Sequence, residues 1–368
     1  MDQRRLGRTN RLISVGSLGT MRLASPEIAR AVVSAAIARG LNHIETAPAY
    51  GQVEQYLGQA LADLARSSLF ITTKITPTAD ADTVERQLEA SLLSLGLDYV
   101  DGLAVHGLNT PEHLRQVQQG MLTGMERLVN DGRVRYLGCS SHGNLELVAG
   151  AIATDAFSFI NLHYYYFDQR LAPAIALAHA HDMGIFIISP ADKGGRLHQP
   201  SERLRALCQP FEPLQLTYRW LLSDPRITTL SLGPANVEEL ATLPPLTTEP
   251  LSSAEVAALD RLAQAGGEAL GTDQCSQCHQ CLPCPEAINI PAVLRLRNLA
   301  VAYDMTAYGQ YRYRMFENAG HWFPGRQGHR CTDCGDCLPR CPENLSIPTL
   351  LRDSHARLKG PGRRRLWE

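Results

Sequence analysis

The chain has 368 residues, with 35 Lys and Arg against 37 Asp and Glu, a formal net charge of −2. That balance excludes an electrostatic case for nucleic acid or an anionic membrane as partner, and no apolar run approaches the roughly 20 residues of a spanning helix. With 44% hydrophobic and 20% charged residues the chain has the mix of a folded protein with a sizeable core, and its length suits a barrel plus a small module.

The opening segment MDQRRLGRTN has no apolar stretch behind its charges, so a secretory signal is not expected. The Arg4–Arg5 pair is followed by Arg11 and Arg22 and by no cleavage site, which speaks against a twin-arginine signal. A cytoplasmic, reducing compartment is therefore expected, in which clustered cysteines read as metal ligands rather than disulfides.

Short β-rich runs then recur, at residues 13–21, 41–47, 69–75, 99–107, 135–141, 157–165, 184–191 and 227–233. They are rich in Ile, Val, Leu, Thr and aromatics, as buried parallel strands are. Amphipathic stretches such as SPEIARAVVSAAIARG and DTVERQLEASLLSLG lie between them. Ser25 before Pro26 reads as an N-cap with proline at the first helical position, and Gly40 and Gly96 read as helix stops. Eight such alternations predict an α/β fold, a closed (β/α)8 TIM barrel. A doubly wound open sheet is disfavoured because no G-x-G-x-x-G follows the first strand.

The rhythm breaks at residues 244–273. PPLTTEP reads as a turn-rich linker, SSAEVAALDRLAQ as a helix opened by a Ser-x-x-Glu cap, and AGGEALGTDQ as a second linker. The expected organisation is a barrel over 1–265, a basic tail over 351–368, and between them over 266–350 a small all-α domain whose two cysteine motifs, each opening C-x2-C-x2-C, read as ferredoxin-like and iron–sulfur.

Chemistry in such a barrel belongs to the C-terminal ends of the strands. Glu45 ends the second predicted strand, Tyr50 follows it, Lys74 ends the third and His106 the fourth. A tyrosine is a poor proton donor at neutral pH, but a lysine ammonium nearby favours the phenolate. A carboxylate keeps that lysine charged and oriented, and a histidine can hydrogen-bond a carbonyl oxygen. Together they could protonate a carbonyl oxygen while a hydride reaches the carbon.

The motifs RRLGRTN with LGTM, HIETAPAYG, FITTKI, VDGLAVHG and RYLGCSSHG resemble the aldo-keto reductase family, from the start of the chain to about residue 265. The resemblance implies a barrel, NADP or NAD bound without a Rossmann fold, and reduction of a small carbonyl substrate. It implies Glu45, Tyr50, Lys74 and His106 as the catalytic tetrad. It further implies cofactor contacts from Thr20, Ser140, Ser141 and Asn161, and a phosphate site at Lys193–Gly194–Gly195 and Ser231–Gly233. Three departures stand out. Glu45 replaces the family's Asp, a Ser-Asn pair appears as Ser140–Ser141, and the loop SLGPANVEEL lacks the Lys and Arg that commonly clamp a 2′-phosphate. The run Tyr164–Phe167 could shape a substrate pocket or pack as strand and turn.

Eight of the ten cysteines lie at the C-terminal side. Cys331-x2-Cys334-x2-Cys337-x3-Cys341-Pro342 has the bacterial ferredoxin spacing for a 4Fe-4S cluster, and Cys275, Cys278, Cys281 and Cys284 echo it one residue shorter. In that pattern the proline-flanked cysteine serves the other cluster. Cys275, Cys278, Cys281 and Cys341 would thus hold one cluster, and Cys331, Cys334, Cys337 and Cys284 the second. Zinc is the alternative, though its sites usually show two C-x2-C pairs split by a longer loop. The 46 residues between Cys284 and Cys331 read as helical filler. Cys139 and Cys208 read as buried small apolar residues.

Two functions follow. One is an NAD(P)H-dependent carbonyl reductase with an appended dicluster module. The other is an electron-transfer or scaffold protein whose barrel binds nucleotide or a partner without turnover. A nicotinamide passes two electrons together and a cluster accepts one at a time, so the clusters are expected either to exchange electrons with a redox protein partner rather than directly with the nicotinamide, or to serve structure, as metals do in small domains that fold only around them.

Overall fold

The computed structural model describes residues 1–360; the basic stretch 361–368 lies outside the described residues. The chain divides into two compact units, Met1–Gly194 with Thr217–Pro250, and Gly195–Leu216 with the chain from Leu251 onward.

In the first unit the short strands β1 (Gln3–Arg5) and β2 (Leu12–Ser14) form an antiparallel hairpin. Eight further strands follow: β3 (Gly16–Gly19), β4 (His43–Glu45), β5 (Phe70–Ile75), β6 (Val100–Val105), β7 (Val134–Ser140), β8 (Phe159–Leu162), β9 (Gly184–Ile188) and β10 (Thr229–Leu232). They close as an all-parallel barrel in the order β10-β3-β4-β5-β6-β7-β8-β9, each drawn from one of the predicted runs. Except for two residues of β7 and one each of β3 and β9, the barrel strands are buried, which is why they read as continuous apolar runs rather than alternating ones.

Local rules account for the helix ends. The Ser25 hydroxyl accepts the Ile28 N–H ahead of helix Pro26–Ala38. Gly96, at φ 63°, stops helix Ala81–Leu95 in the left-handed conformation that glycine adopts without strain. Leu6 and Ile13 of the N-terminal segment pack with Phe70 and Phe159, the first residues of β5 and β8, so this apolar cluster lies towards the strands' N-terminal ends. The two arginines weighed as a signal are structural. Arg4 donates to the carbonyls of Leu222, Asp224 and Ile227, and Arg5 pairs with Asp182. A polar layer crosses the barrel interior, where Ser17 Oγ lies 2.6 Å from His43 Nδ1 and Thr72 Oγ1 lies 2.9 Å from His43 Nε2.

The second unit carries the helices Ser253–Leu270, Ile290–Tyr303, Thr306–Tyr313 and Ile347–Leu358. A reciprocal capping box of Ser252 and Glu255 opens the first. The stretch AGGEALGTDQ, expected as a linker, is helical through Leu270. A Cβ at Gly266 would stand 2.6 Å from the Tyr303 hydroxyl, which itself donates to the Leu262 carbonyl at 3.0 Å. The glycine there serves close helix packing rather than a break. The predicted tail likewise begins as helix: Ile347–Leu358 buries Leu350, Leu351 and Leu358.

Candidate active site and cysteine centres

Glu45 closes β4, Lys74 sits one residue from the end of β5, and His106 directly follows β6. Tyr50 ends the short 3-10 turn Pro48–Tyr50. The barrel closure brings all four together. Lys74 Nζ donates to the Tyr50 hydroxyl at 3.2 Å and to the Thr46 carbonyl at 3.0 Å, and it lies 3.4 Å from Glu45 Oε1. The Tyr50 and His106 rings meet edge to face with centroids 5.7 Å apart.

Lys74 and Glu45 are both buried, so each needs the other. Burial pulls the Lys74 ammonium down, but Glu45 and Tyr50 outweigh it and hold the group above its ordinary value. Burial pushes the Glu45 carboxyl up, and Lys74, His43 and the hydrogen bond from Asn161 outweigh that push and keep it below the usual range. Burial, with Lys74 second, takes His106 down to about 4, so its imidazole is neutral at neutral pH.

The residues expected at a cofactor fall into three sets. Asn161, third in β8, donates through Nδ2 to Glu45 Oε2, and the Ser231 hydroxyl of β10 donates to Glu45 Oε1 at 3.2 Å. Both therefore share the carboxylate with Lys74, a link that the spacing in sequence did not reveal. Asn161 Oδ1 is buried and has no hydrogen-bond partner. Ser140, Ser141 and Thr20 brace the backbone. Ser140 Oγ accepts the Gly107 N–H at 3.1 Å, Ser141 Oγ donates to the Leu108 carbonyl at 2.5 Å, and Thr20 Oγ1 donates to the Glu45 carbonyl at 3.0 Å. The two serines thus hold the turn that carries His106.

Lys193 and Gly194 lie in the loop after β9, where a Cβ at Gly194 would stand 2.1 Å from the Pro190 carbonyl oxygen. Gly233 follows β10, and its carbonyl accepts from Arg22, which also forms a bidentate pair with Glu239 at 2.6 and 2.9 Å. Arg22 supplies from the loop after β3 a basic group that the sequence after β10 lacks.

Sequence reasoning missed a chain across the ends of β7, β8 and β9. His142 Nδ1 lies 3.0 Å from His163 Nε2, His163 Nδ1 bonds the Tyr165 hydroxyl, and that hydroxyl donates to the Ile188 carbonyl at 2.5 Å. The available signal was the pair of histidines just past two strand ends. The aromatic run packs: Tyr164, Tyr165 and Phe167 are buried, and Tyr164 and Tyr166 bracket Trp220 with centroids at 5.3 and 5.6 Å.

In the second unit the eight motif cysteines sort into two hollows. Cys284, Cys331, Cys334 and Cys337 line one; Cys275, Cys278, Cys281 and Cys341 line the other. These are the crossed sets that the ferredoxin rule predicts. In each set the second cysteine of the motif is exposed and the third buried. Among the described residues no group of three or more His, Cys, Asp or Glu side chains is gathered tightly enough to hold a single metal ion. Arg340 ties the loops of the first hollow by donating to the Asp336 and Pro283 carbonyls at 2.8 and 2.9 Å. Buried Arg297 pairs with Asp273 ahead of Cys275 and with Asp353 of the last helix. Cys139 and Cys208 are buried, and burial pushes the Cys208 thiol up to about 12.

Residues 17–264 match the model of the aldo/keto reductase family, and residues 274–345 match that of a 4Fe-4S dicluster domain. An oxidoreductase of Schizosaccharomyces pombe is 33% identical over 153 residues, covering 37% of this chain and 46% of that protein. An aldo-keto reductase of Mycobacterium tuberculosis is 34% identical over 211 residues, covering 56% of this chain and 72% of that one. The matches thus span less than half of the first relatives' length and nearly three quarters of the latter's. Among solved structures, the holo form of an aldo-keto reductase from Bacillus halodurans shares the fold with a TM-score of 0.62 at 22% identity, over 71% of this chain and 96% of that one. An aldo-keto reductase of Klebsiella pneumoniae in complex with NADPH does so at 0.59 and 22% identity, over 71% and 95%.

Proposed function

The chain belongs to the aldo/keto reductase family, and from that membership we propose that it is an NAD(P)H-dependent oxidoreductase that reduces a small carbonyl substrate at the barrel mouth. The observation that carries this reading is the buried line from Glu45 through Lys74 to the Tyr50 hydroxyl. Tyr50 gives its proton to the substrate's carbonyl oxygen, and Lys74, held charged by Glu45, stabilises the phenolate left behind. His106, neutral at working pH, donates a hydrogen bond to the same oxygen and positions it. A bound nicotinamide would supply the hydride. The unpartnered Asn161 Oδ1 fits the carboxamide N–H2 of such a ring, and the tight turn at Gly194 fits a phosphate-binding loop after the ninth strand.

In the second unit the crossed cysteine sets would hold two 4Fe-4S clusters, which would supply one-electron exchange with a redox protein partner. The exposure of Cys278 and Cys334 supports electron entry at the surface. The test is anaerobic purification with iron and sulfide analysis, then titration with NADH and NADPH and an assay with aldehyde and ketone substrates. Binding with turnover is expected; protein that binds neither dinucleotide overturns the reading.

A further inference from the structure

We propose that Glu45 is a positioning residue for cofactor recognition: it holds the Asn161 amide in the one orientation that presents Oδ1, and not Nδ2, to the carboxamide of a bound nicotinamide. This rests on the reading of the barrel mouth as a nicotinamide site.

An amide side chain has a donor end and an acceptor end, and its two orientations exchange them. A carboxylate only accepts, so beside Glu45 the amide must turn Nδ2 inward, which is the bond observed. The carboxylate cannot swing away, because Oε1 takes the Ser231 hydroxyl at 3.2 Å and faces Lys74 Nζ at 3.4 Å. The Asn161 backbone is fixed as well: it lies opposite Ser140 in the ladder, and its carbonyl accepts the Ser141 N–H at 3.1 Å. Oδ1 is then the amide atom left over, buried and without a partner, an acceptor that only a donor can satisfy. The carboxamide N–H2 is such a donor. Glutamate at this position reaches one methylene further than aspartate. The added reach lets one carboxylate serve Lys74 on the proton-donor side and Asn161 on the cofactor side.

The experiment compares dissociation constants for NAD+ and NADP+ with those of their 3-acetylpyridine analogues, which keep the ring carbonyl and replace the amide nitrogen with a methyl group. Because both forms share every other contact, their ratio is insensitive to general damage. The unaltered protein is expected to prefer the carboxamide form by about tenfold, the scale of one buried hydrogen bond whose acceptor would otherwise be unsatisfied. In Glu45→Gln the new amide can donate to Asn161, releasing it to turn, and the preference should fall towards one. Glu45→Asp, which keeps the charge but shortens the reach, should lower it likewise, and Asn161→Ala sets the floor. A full preference retained in both Glu45 variants overturns the proposal while leaving the nicotinamide reading intact. Failure of the unaltered protein to bind any of the four dinucleotides removes that reading and the proposal with it.

Discussion

The Tyr50 hydroxyl is bonded to the buried ammonium, so Tyr50→Phe is expected to lower carbonyl reduction by a hundredfold or more, the low end of what a positioned proton donor contributes. Dinucleotide affinity should stay within about twofold, and undiminished turnover would remove Tyr50 from its role. Lys74→Met leaves the Glu45 charge buried without its counter-ion, at a cost of roughly 3–5 kcal/mol in denaturant unfolding at neutral pH. The loss should shrink in acid, where Glu45 can take up a proton; a loss equal at all pH values would show that the pair carries no charge. His43, fully buried between Ser17 and Thr72, is pushed down to about 4, chiefly by burial. Its folded pKa lies below the unfolded value of about 6.5, so its contribution is whole above pH 6.5 and drains away as pH falls towards 4. That interval corresponds to roughly 3 kcal/mol. His43→Gln should flatten the acid side of the stability curve in that window, as thermal unfolding at a series of pH values would register.

Loops set by single glycines make the next scale testable. Gly194 approaches the Pro190 carbonyl so closely that Gly194→Ala must move one segment or the other. Overpacking of this kind costs about 1–3 kcal/mol, and it falls on the turn assigned to the cofactor's phosphates. Dinucleotide affinity is expected to drop about tenfold or more with the barrel still folded; unchanged affinity would place the phosphates elsewhere. Several helix ends were legible in the sequence, as with Ser25, Gly96 and the Ser252–Glu255 box. The glycines of AGGEALGTDQ misled because a glycine that breaks a helix and one that admits a neighbouring tyrosine look alike until Tyr303 is in place. The hairpin of Gln3–Arg5 with Leu12–Ser14 escaped notice because three-residue strands carry too little alternation to read.

Across the whole molecule, the crossed cysteine sets predict near eight irons per chain. Cys284→Ser and Cys341→Ser should each cost one cluster, about four irons, and the cluster lost is the one whose other three ligands lie in the distant motif. Anaerobic iron and sulfide analysis with electron paramagnetic resonance separates this from in-motif ligation, which would remove the opposite cluster. The sequence by itself determined the barrel, because eight buried apolar runs alternating with amphipathic stretches admit few other closures. It also put Glu45, Lys74 and His106 at strand ends, because strand ends follow local rules, and it suggested the two cysteine sets through the ferredoxin pattern, in which the proline-flanked cysteine crosses to the other motif. Only the tertiary structure decided that Asn161, Ser231 and Lys74 share the Glu45 carboxylate, that Ser140 and Ser141 brace the turn carrying His106, and that Arg22 reaches the loop after β10. Arg22 and Gly233, the most distant of these pairs, stand 211 positions apart in the chain. What joins them is the closure of the barrel, which brings the strand ends to one mouth whatever their separation in sequence.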